Sequence, residues 1–116
     1  MQRYQMYIDG KFVDPSSGRW FDSYNPYTGK VWSQVGEGNA ADADRAVLAA
    51  HKAFSEGPWS KLTATARGAL LRKLGDLIAR DANKLAEIEV RDNGKLIAEM
   101  AGQLNYIPQW FYYYSG

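Results

Sequence analysis

The chain contains no cysteine and a single histidine. Without cysteine, these residues can form no disulfide framework, no thiolate metal site and no thiol nucleophile. His51 has no second histidine or nearby carboxylate at the spacing of metal ligands, so we interpret it as a solvated or half-buried surface residue. Thiolate chemistry and histidine-cluster chemistry are therefore not expected from this segment.

Long apolar runs and a strong charge of one sign are also missing. No apolar run reaches the roughly eighteen residues of a membrane span, and residues 1–10 lack the basic and apolar regions of a signal peptide. Fourteen basic residues against thirteen acidic ones leave a net charge of +1, with no dense block of lysine and arginine. We therefore expect no membrane partner, no nucleic-acid partner and a cytoplasmic location.

The remaining composition is that of an ordinary globular protein. Hydrophobic residues make up 46% and charged residues 23% of the 116 residues, which is enough for one core but not for two. We find no internal repeat and no linker, so we expect a single domain over residues 1–116. The unusual feature is the aromatic cluster of residues 110–114, because natural domains more often end in polar, frayed residues.

Two β-hairpins are expected in the first 35 residues. Asp9-Gly10 lies between two β-prone runs, residues 6–8 and 11–13, and this dipeptide is a strong signal for a two-residue hairpin turn. Residues 19–24 and 30–35 form a second strand pair, joined by a turn in which Gly29 supplies a positive φ. Their aromatic and β-branched residues suit a sheet that is half covered.

The period of the apolar residues changes to that of helices after Asn39. Asn39 is the expected N-cap of a first helix, which Gly57-Pro58 ends. Its apolar stripe comprises Ala43, Ala46, Val47, Ala50, Ala53 and Phe54. Thr63 opens a second helix whose expected buried stripe comprises Leu70, Leu71, Leu74, Leu77 and Ile78.

Two further helices complete the prediction. A third begins near Asp81, buries Leu85 and Ile88, and ends at Asn93-Gly94. The fourth begins near Ile97 and contains Pro108, which should remove one backbone hydrogen bond and kink the helix. Taken alone, the chain is therefore predicted to be α+β, with two amino-terminal β-hairpins followed by three to four helices.

Several motifs in a fixed order resemble the amino-terminal portion of the aldehyde dehydrogenase superfamily. They are Tyr7-Ile8-Asp9-Gly10-Lys11-Phe12, Asn25-Pro26 with Thr28-Gly29-Lys30, the first helix from Asp42 to Phe54 followed by Trp59, Thr63 with Arg67, Leu71 and Leu74, and Asp92-Asn93-Gly94-Lys95 with Glu99. The chain departs from the family pattern at Leu96, where proline is common, and at Pro108. Among subgroups, the resemblance is to dehydrogenases of small or aminated aldehydes, such as the betaine aldehyde type.

The resemblance implies a parent protein of α/β class, several hundred residues long, which oxidises a small aldehyde with NAD or NADP and forms a homo-oligomer. A cysteine thiolate would attack the aldehyde, the thiohemiacetal would transfer hydride to nicotinamide, and a glutamate would assist hydrolysis of the thioester. This chain would belong to the cofactor-binding half. It contains no catalytic residue and no cofactor-binding residue of that family pattern, so we expect it to be inactive alone.

Asp92 is the most distinctive candidate for a binding role. A carboxylate near a helix C-terminus is electrostatically unfavourable, so a positive group should compensate it. The resemblance implies a structural Na⁺ or K⁺ held by Asp92 and the backbone carbonyls of Ser23 and Tyr24. The alternative is that Asp92 hydrogen-bonds a turn or pairs with Arg91 or Lys95.

Two other groups of residues invite a functional interpretation. Glu87 and Glu89 could form a catalytic carboxylate pair, but two residues apart on a helix they point in different directions and are expected to be solvated. The aromatic cluster of residues 110–114 could stack on bases or sugars. Because it lies on a helix beside an apolar stripe, packing against other parts of a longer protein or another subunit is favoured.

Three functions stay open from the sequence alone. The first is a fragment of an aldehyde dehydrogenase, which in isolation should be oligomeric or marginally folded because it exposes apolar surface. The second is a stand-alone interaction or oligomerisation module derived from that family. The third and weakest is an unrelated small α+β binding domain.

Overall fold

The computed structural model describes the whole chain, Met1–Gly116, which divides into two compact units, Met1–Ser60 and Lys61–Gly116. The first unit contains five strands and one helix, and the second contains two helices. A short 3-10 helix, Pro58–Lys61, lies at the boundary. Strands precede helices along the chain, as the sequence predicted.

The first hairpin forms where the Asp9-Gly10 dipeptide predicted it. Strands β2 (Met6–Ile8) and β3 (Lys11–Val13) are antiparallel, with Met6 opposite Val13 and Ile8 opposite Lys11. Asp9 and Gly10 both have positive φ, 52° and 74°, as a type I′ turn requires. The turn prediction is confirmed at the level of the backbone.

The second predicted hairpin is part of a three-stranded sheet. Strands β4 (Trp20–Asn25) and β5 (Lys30–Gly36) are antiparallel, and Gly29 closes their turn with a φ of 65°. An additional strand, β1 (Gln2–Tyr4), pairs with β5 in parallel, so the strand order is β1-β5-β4. Strand β1 is not predicted from the sequence, because a parallel partner distant in sequence has no turn signal beside it.

Helix α1 (Ala40–Ser55) begins at the predicted N-cap. The Asn39 side chain accepts a hydrogen bond from the Asp42 N–H, and the Asp42 side chain accepts one from the Asn39 N–H, which completes a capping box. The helix ends before Gly57-Pro58, as predicted. Its predicted apolar stripe, however, is exposed along its whole length.

Residues 64–93 form one helix, α2 (Ala64–Asn93), so the predicted boundary near Asp81 is wrong. No glycine or proline interrupts residues 76–92, and the Asp81 carboxylate is paired with the neighbouring Arg80 at 2.7 Å. The helix ends at the predicted signal, where Gly94 adopts a φ of 75° and donates its N–H to the Val90 carbonyl. The chain therefore has three α-helices.

The buried face of α2 consists of small residues. Its fully buried positions are Gly68, Gly75, Ala82 and Ala86, of which the first three are spaced by seven residues. The prediction that the leucines of α2 form its buried face is wrong, since four of them are exposed: Leu70, Leu74, Leu77 and Leu85. Leu71, Ile78 and Ile88 are half-buried. A line of small residues lets the neighbouring helix approach closely, and this geometry selects the core face.

Helix α3 (Ile97–Tyr114) packs along the small-residue face of α2. Ala82, Ala86, Met100 and Leu104 form the buried core of this helical pair. Pro108 lies inside α3 and is fully buried, and the helix continues past it to Tyr114. The kink expected at Pro108 stays a prediction. No helix in the chain is both long and apolar enough to span a bilayer.

Candidate functional site

Asp42 is the most enclosed charged side chain in the chain, with 2% of its surface exposed. Its Oδ2 accepts the Asn39 N–H at 3.1 Å and the Ser16 N–H at 3.2 Å, and its Oδ1 accepts from Arg45 Nη2 at 2.6 Å. Ser16 belongs to the loop between β3 and β4, whereas Asn39 caps α1. Asp42 therefore fastens this loop to the start of the helix.

The hydrogen bonds keep the Asp42 carboxyl ionised. Burial opposes the charged form and would raise the pKa, but the donors from Asn39, Arg45 and Ser16 outweigh it and lower the pKa to about 2. A carboxylate with this pKa is ionised throughout the neutral range and is a poor proton acceptor. Asp42 is consequently suited to holding structure and not to acid-base chemistry. This role of Asp42 is not among the predictions from the sequence, although the Asn39-to-Asp42 spacing of a capping box is its visible signal.

Ser23 and Tyr24, two of the residues predicted to hold a cation, lie in β4 of the first unit. A β-bulge interrupts the pairing of β4 with β5 between these two residues. The Trp32 indole N–H donates to Ser23 Oγ at 3.2 Å. Ser33, directly opposite Ser23 in the register, is fully buried, and its Oγ has no hydrogen-bond partner. The backbone hydrogen bonding between β4 and β5 is thus irregular at the two residues whose carbonyl groups are predicted to bind the cation.

Asp92, the third residue of that prediction, lies in the last turn of α2 in the second unit, and its side chain is exposed. It is followed by Asn93 and by the left-handed Gly94 cap, as the sequence analysis expected. The cation site at Ser23, Tyr24 and Asp92, like its alternatives with Arg91 or Lys95, stays a prediction.

The remaining polar candidates lie on helix surfaces. His51 is exposed on α1, in agreement with its interpretation as a surface residue. Glu87 is exposed on α2, whereas Glu89 is half-buried and accepts a hydrogen bond from Asn93 Nδ2 at 3.3 Å. No group of three or more histidine, cysteine or acidic side chains is placed to hold a metal ion.

In the aromatic cluster at the end of α3, some side chains pack against α2 and others are exposed. The Tyr112 hydroxyl donates to Asp76 Oδ1 at 2.8 Å, and the Arg72 guanidinium lies 5.1 Å from the ring centre. The hydrogen bond to Asp76 raises the pKa of Tyr112, and burial adds to this effect. Tyr112 therefore ties α3 to α2. Trp110 and Tyr113 are exposed.

Comparison with known proteins identifies the family. The model of the aldehyde dehydrogenase family matches residues 12–116. A (Z)-2-((N-methylformamido)methylene)-5-hydroxybutyrolactone dehydrogenase from Acinetobacter baylyi is 45% identical over 116 residues, which is all of this chain and 23% of that protein. The mitochondrial aldehyde dehydrogenase of Rattus norvegicus is 42% identical over 97% of this chain and 22% of its own length.

Solved structures agree with the sequence relatives. An NAD-dependent aldehyde dehydrogenase from Sinorhizobium meliloti superposes with a TM-score of 0.95 at 39% identity, covering 99% of this chain and 23% of that one. A betaine aldehyde dehydrogenase from Staphylococcus aureus in complex with NAD⁺ gives a TM-score of 0.92 at 38% identity. The chain spans less than a quarter of the length of these relatives. It belongs to the aldehyde dehydrogenase family and corresponds to the amino-terminal portion of its members.

Proposed function

We propose that this chain serves as the amino-terminal scaffold of an aldehyde dehydrogenase that oxidises a small aldehyde to a carboxylic acid with NAD or NADP. The observation that carries the proposal is the match of nearly the whole chain, in sequence and in fold, to an NAD-dependent member of the family at a TM-score of 0.95. The family supports NAD as the cofactor of the complete enzyme, and the choice between NAD and NADP belongs to the proposal.

In this proposal the chain contributes structure to the reaction and no reacting group. The family mechanism needs a cysteine thiolate, and the 116 residues contain no cysteine, so the nucleophile lies elsewhere in the complete protein. The groups that the chain does hold in fixed positions, such as Asp42 and Tyr112, connect its own elements. Its part in catalysis is therefore to support the residues that bind and orient substrate and cofactor.

A chimeric enzyme tests this function directly. The chain would replace the matching amino-terminal segment of the Sinorhizobium meliloti dehydrogenase, which it resembles over 99% of its length. We expect the chimera to reduce NAD⁺ in the presence of small aldehydes, whereas the 116-residue chain alone produces no NADH. A soluble chimera without activity, beside an active parent enzyme, would count against the proposal.

The structural cation belongs to the same proposal. The β-bulge at Ser23 and Tyr24 and the buried, unpartnered Ser33 hydroxyl support an oxygen-lined position at this point of β4. Replacement of NaCl or KCl by choline chloride should lower the melting temperature of the chimera. Asp92→Asn should lower it in NaCl and remove most of the difference between the salts. An equal melting temperature in all three salts would contradict a cation role.

The rival function is a stand-alone interaction module derived from the family, and the exposed apolar side chains are the observation that favours it. The intact mass of the protein as expressed from its own gene separates the two functions. A mass several times 13.0 kDa supports the enzyme, and a mass of 13.0 kDa supports the module. A homo-oligomeric enzyme in the cytoplasm is part of our proposal and can be measured on the same natural material.

A further inference from the structure

Asn93-Gly94, the pair of residues at the end of α2, is a chemically reactive sequence. The backbone nitrogen that follows an asparagine attacks its side chain most readily when it belongs to glycine, because glycine has no Cβ to hinder the approach. The chain contains five asparagines, and Asn93 is the only one that glycine follows. Asn93 and Gly94 are both exposed, so water can reach them. The pair is therefore a candidate for spontaneous deamidation.

Deamidation at this pair consumes one water molecule and needs no other reactant. The Gly94 backbone nitrogen bonds to Cγ of Asn93 and closes a five-membered succinimide ring. The nitrogen gives up its proton to solvent, and the side-chain amide takes one up and leaves as ammonia. Water then opens the ring at one of its two carbonyl groups. The products are aspartate and isoaspartate, in which the backbone runs through the former side chain.

The structure holds both reacting groups of the pair in other contacts. The Gly94 N–H donates to the Val90 carbonyl at 2.9 Å and so caps α2. Asn93 Nδ2 donates to Glu89 Oε1 at 3.3 Å, and Asn93 Oδ1 accepts the Lys95 N–H at 2.9 Å. Ring closure requires the backbone nitrogen and the side-chain amide to leave these partners together. The intact cap is therefore a barrier to deamidation.

The products of deamidation do not fit the same cap. An aspartate at position 93 would place a carboxylate against Glu89, four residues earlier, where the amide now donates a hydrogen bond. It would also add negative charge to a helix end that already carries a partial negative charge. In isoaspartate the backbone is one carbon longer, which displaces the Gly94 N–H from the Val90 carbonyl. Each modification therefore removes the contacts that opposed it.

We propose that Asn93 is a site of spontaneous deamidation, which the C-terminal cap of α2 suppresses and which fraying of that cap permits. Helix ends open locally at a much lower free energy than the whole fold. The site precedes the connection from α2 to α3, and α3 begins at Leu96, whose side chain forms no capping hydrogen bond. Deamidation would thus loosen the connection inside the helical pair. The inference concerns the chain itself and does not depend on the proposed function.

Deamidation rates in the folded and the unfolded chain test the proposal. Cleavage after lysine releases residues 85–95, whose only amide side chain is that of Asn93, and residues 74–84, whose only one is that of Asn83. The second peptide is the control, because the side chain of Lys84 hinders the attack whether or not the chain is folded. Mass spectrometry follows both peptides during incubation at neutral pH in increasing urea, and circular dichroism measures the remaining helix.

We expect Asn93 to deamidate at least about ten-fold more slowly in buffer than in the urea-unfolded chain, with a rate that rises as the helix content falls. In urea it should react at least about ten-fold faster than Asn83. Equal rates at Asn93 in the helical and the unfolded chain would overturn the proposal, as would equal rates of the two asparagines in urea. If the isolated chain has little helix in buffer, the same comparison is made in the chimera.

A pair of variants at Glu89 tests whether the contacts of the cap suppress the reaction. Glu89→Ala removes the acceptor of the Asn93 amide and should accelerate deamidation in buffer about two- to ten-fold, as expected for the loss of one hydrogen bond. Glu89→Gln keeps an acceptor oxygen and should leave the rate within about two-fold. In urea the three chains should react equally. An unchanged rate in Glu89→Ala would overturn the proposal, and so would a lower rate, because Glu89 would then promote the attack.

The effect of the modification on stability is measured with substitutions that reproduce its charge. Asn93→Asp should lower the melting temperature, because the new carboxylate faces Glu89 at the negative end of α2. Asn83→Asp is the matched control, since Asn83 is also exposed on α2 but lies far from both helix ends. Its melting temperature should change less. An equal decrease in the two variants would overturn the inference that deamidation acts by removing the cap.

Discussion

At the scale of single residues, Asp42 shows how one ionised carboxylate fixes a loop. Its folded pKa of about 2 lies below the ordinary value of 3.8, so ionisation favours the folded state. This contribution to stability is complete above the unfolded pKa and is lost as the pH falls from about 3.8 towards about 2. Near neutrality the contribution is present in full and does not change with pH, because Asp42 is ionised in both states.

We predict that Asp42→Asn lowers the melting temperature at pH 7, because the uncharged amide loses the ion pair with Arg45 and one of its two acceptor oxygens. The difference between the original chain and the variant should shrink as the pH is lowered from 4 to 2. Thermal melts followed by circular dichroism across this range measure both effects. A difference that stays constant with pH would show that the charge of Asp42 does not stabilise the fold.

Gly75 matters because α3 leaves no room for a side chain at this position of α2. An added Cβ would lie 2.7 Å from Cε1 of Tyr112, and that ring is held by Asp76 and Arg72. We predict that Gly75→Ala destabilises the chain by about 1–3 kcal/mol, despite the higher helix propensity of alanine.

Gly102 is the matched control for Gly75. It lies inside α3 and a Cβ there would meet nothing within 4 Å, so Gly102→Ala should stabilise the chain by about 0.5–1 kcal/mol. Urea unfolding of the two variants gives both values. If the two substitutions changed stability in the same direction, close packing at Gly75 would not be the reason for its glycine.

At the scale of elements, the start of α3 is weaker than the start of α1. Leu96 is the N-cap of α3 and forms no side-chain hydrogen bond to the helix, whereas Asn39 forms a full capping box. We predict that Leu96→Ser stabilises α3 by about 1 kcal/mol, because a serine followed by Glu99 three residues later is the sequence of a capping box. Urea unfolding of the isolated chain measures the gain, and Leu96→Ala is the control, since it removes the same side chain without adding an acceptor. Equal stability of the serine and alanine variants would contradict the capping role.

Elements that a few neighbouring residues specify could be predicted from the sequence, whereas elements that depend on distant residues could not. The turn at Asp9-Gly10, the cap at Asn39 and the helix end at Gly94 are specified within a few residues, and all three were predicted. The parallel pairing of β1 with β5 joins distant segments and was missed. The continuity of α2 was missed because Asp81 resembled a new helix start, while its pairing with Arg80 is visible only in the structure.

The buried face of α2 could not be predicted from hydrophobicity alone. The leucines have the helical period of a core, yet the close approach of α3 needs the small side chains of Gly68, Gly75 and Ala82. The leucines then form a second, exposed apolar face on the same helix. For the candidate site, the family resemblance drew attention to Ser23, Tyr24 and Asp92. The enclosure of Asp42 was not predicted, although the spacing of a capping box from Asn39 to Asp42 was visible in the sequence.

At the scale of the whole molecule, the chain exposes more surface than a globular protein of its mass. Its accessible surface is 8588 Å², compared with about 6,300 Å² expected for a folded monomer of 13.0 kDa. The exposed side chains include large apolar residues from the strands and from all three helices. This excess agrees with a chain that spans less than a quarter of its relatives and whose apolar faces belong against further polypeptide.

We therefore predict that the isolated chain is marginally stable or associates as its concentration rises. Burial of apolar surface stabilises a fold by about 25 cal/mol per Å². A few hundred Å² left in water therefore lowers the stability by several kcal/mol, which is comparable to the whole stability of a domain. Sedimentation velocity between about 1 and 100 μM, combined with urea unfolding, measures both properties. The chimera is the control, because the same faces should be covered there, so its hydrodynamic size should not depend on concentration over that range. A monodisperse monomer of the isolated chain with a steep, cooperative melt would mean that these faces need no further polypeptide, and would count against the enzyme scaffold.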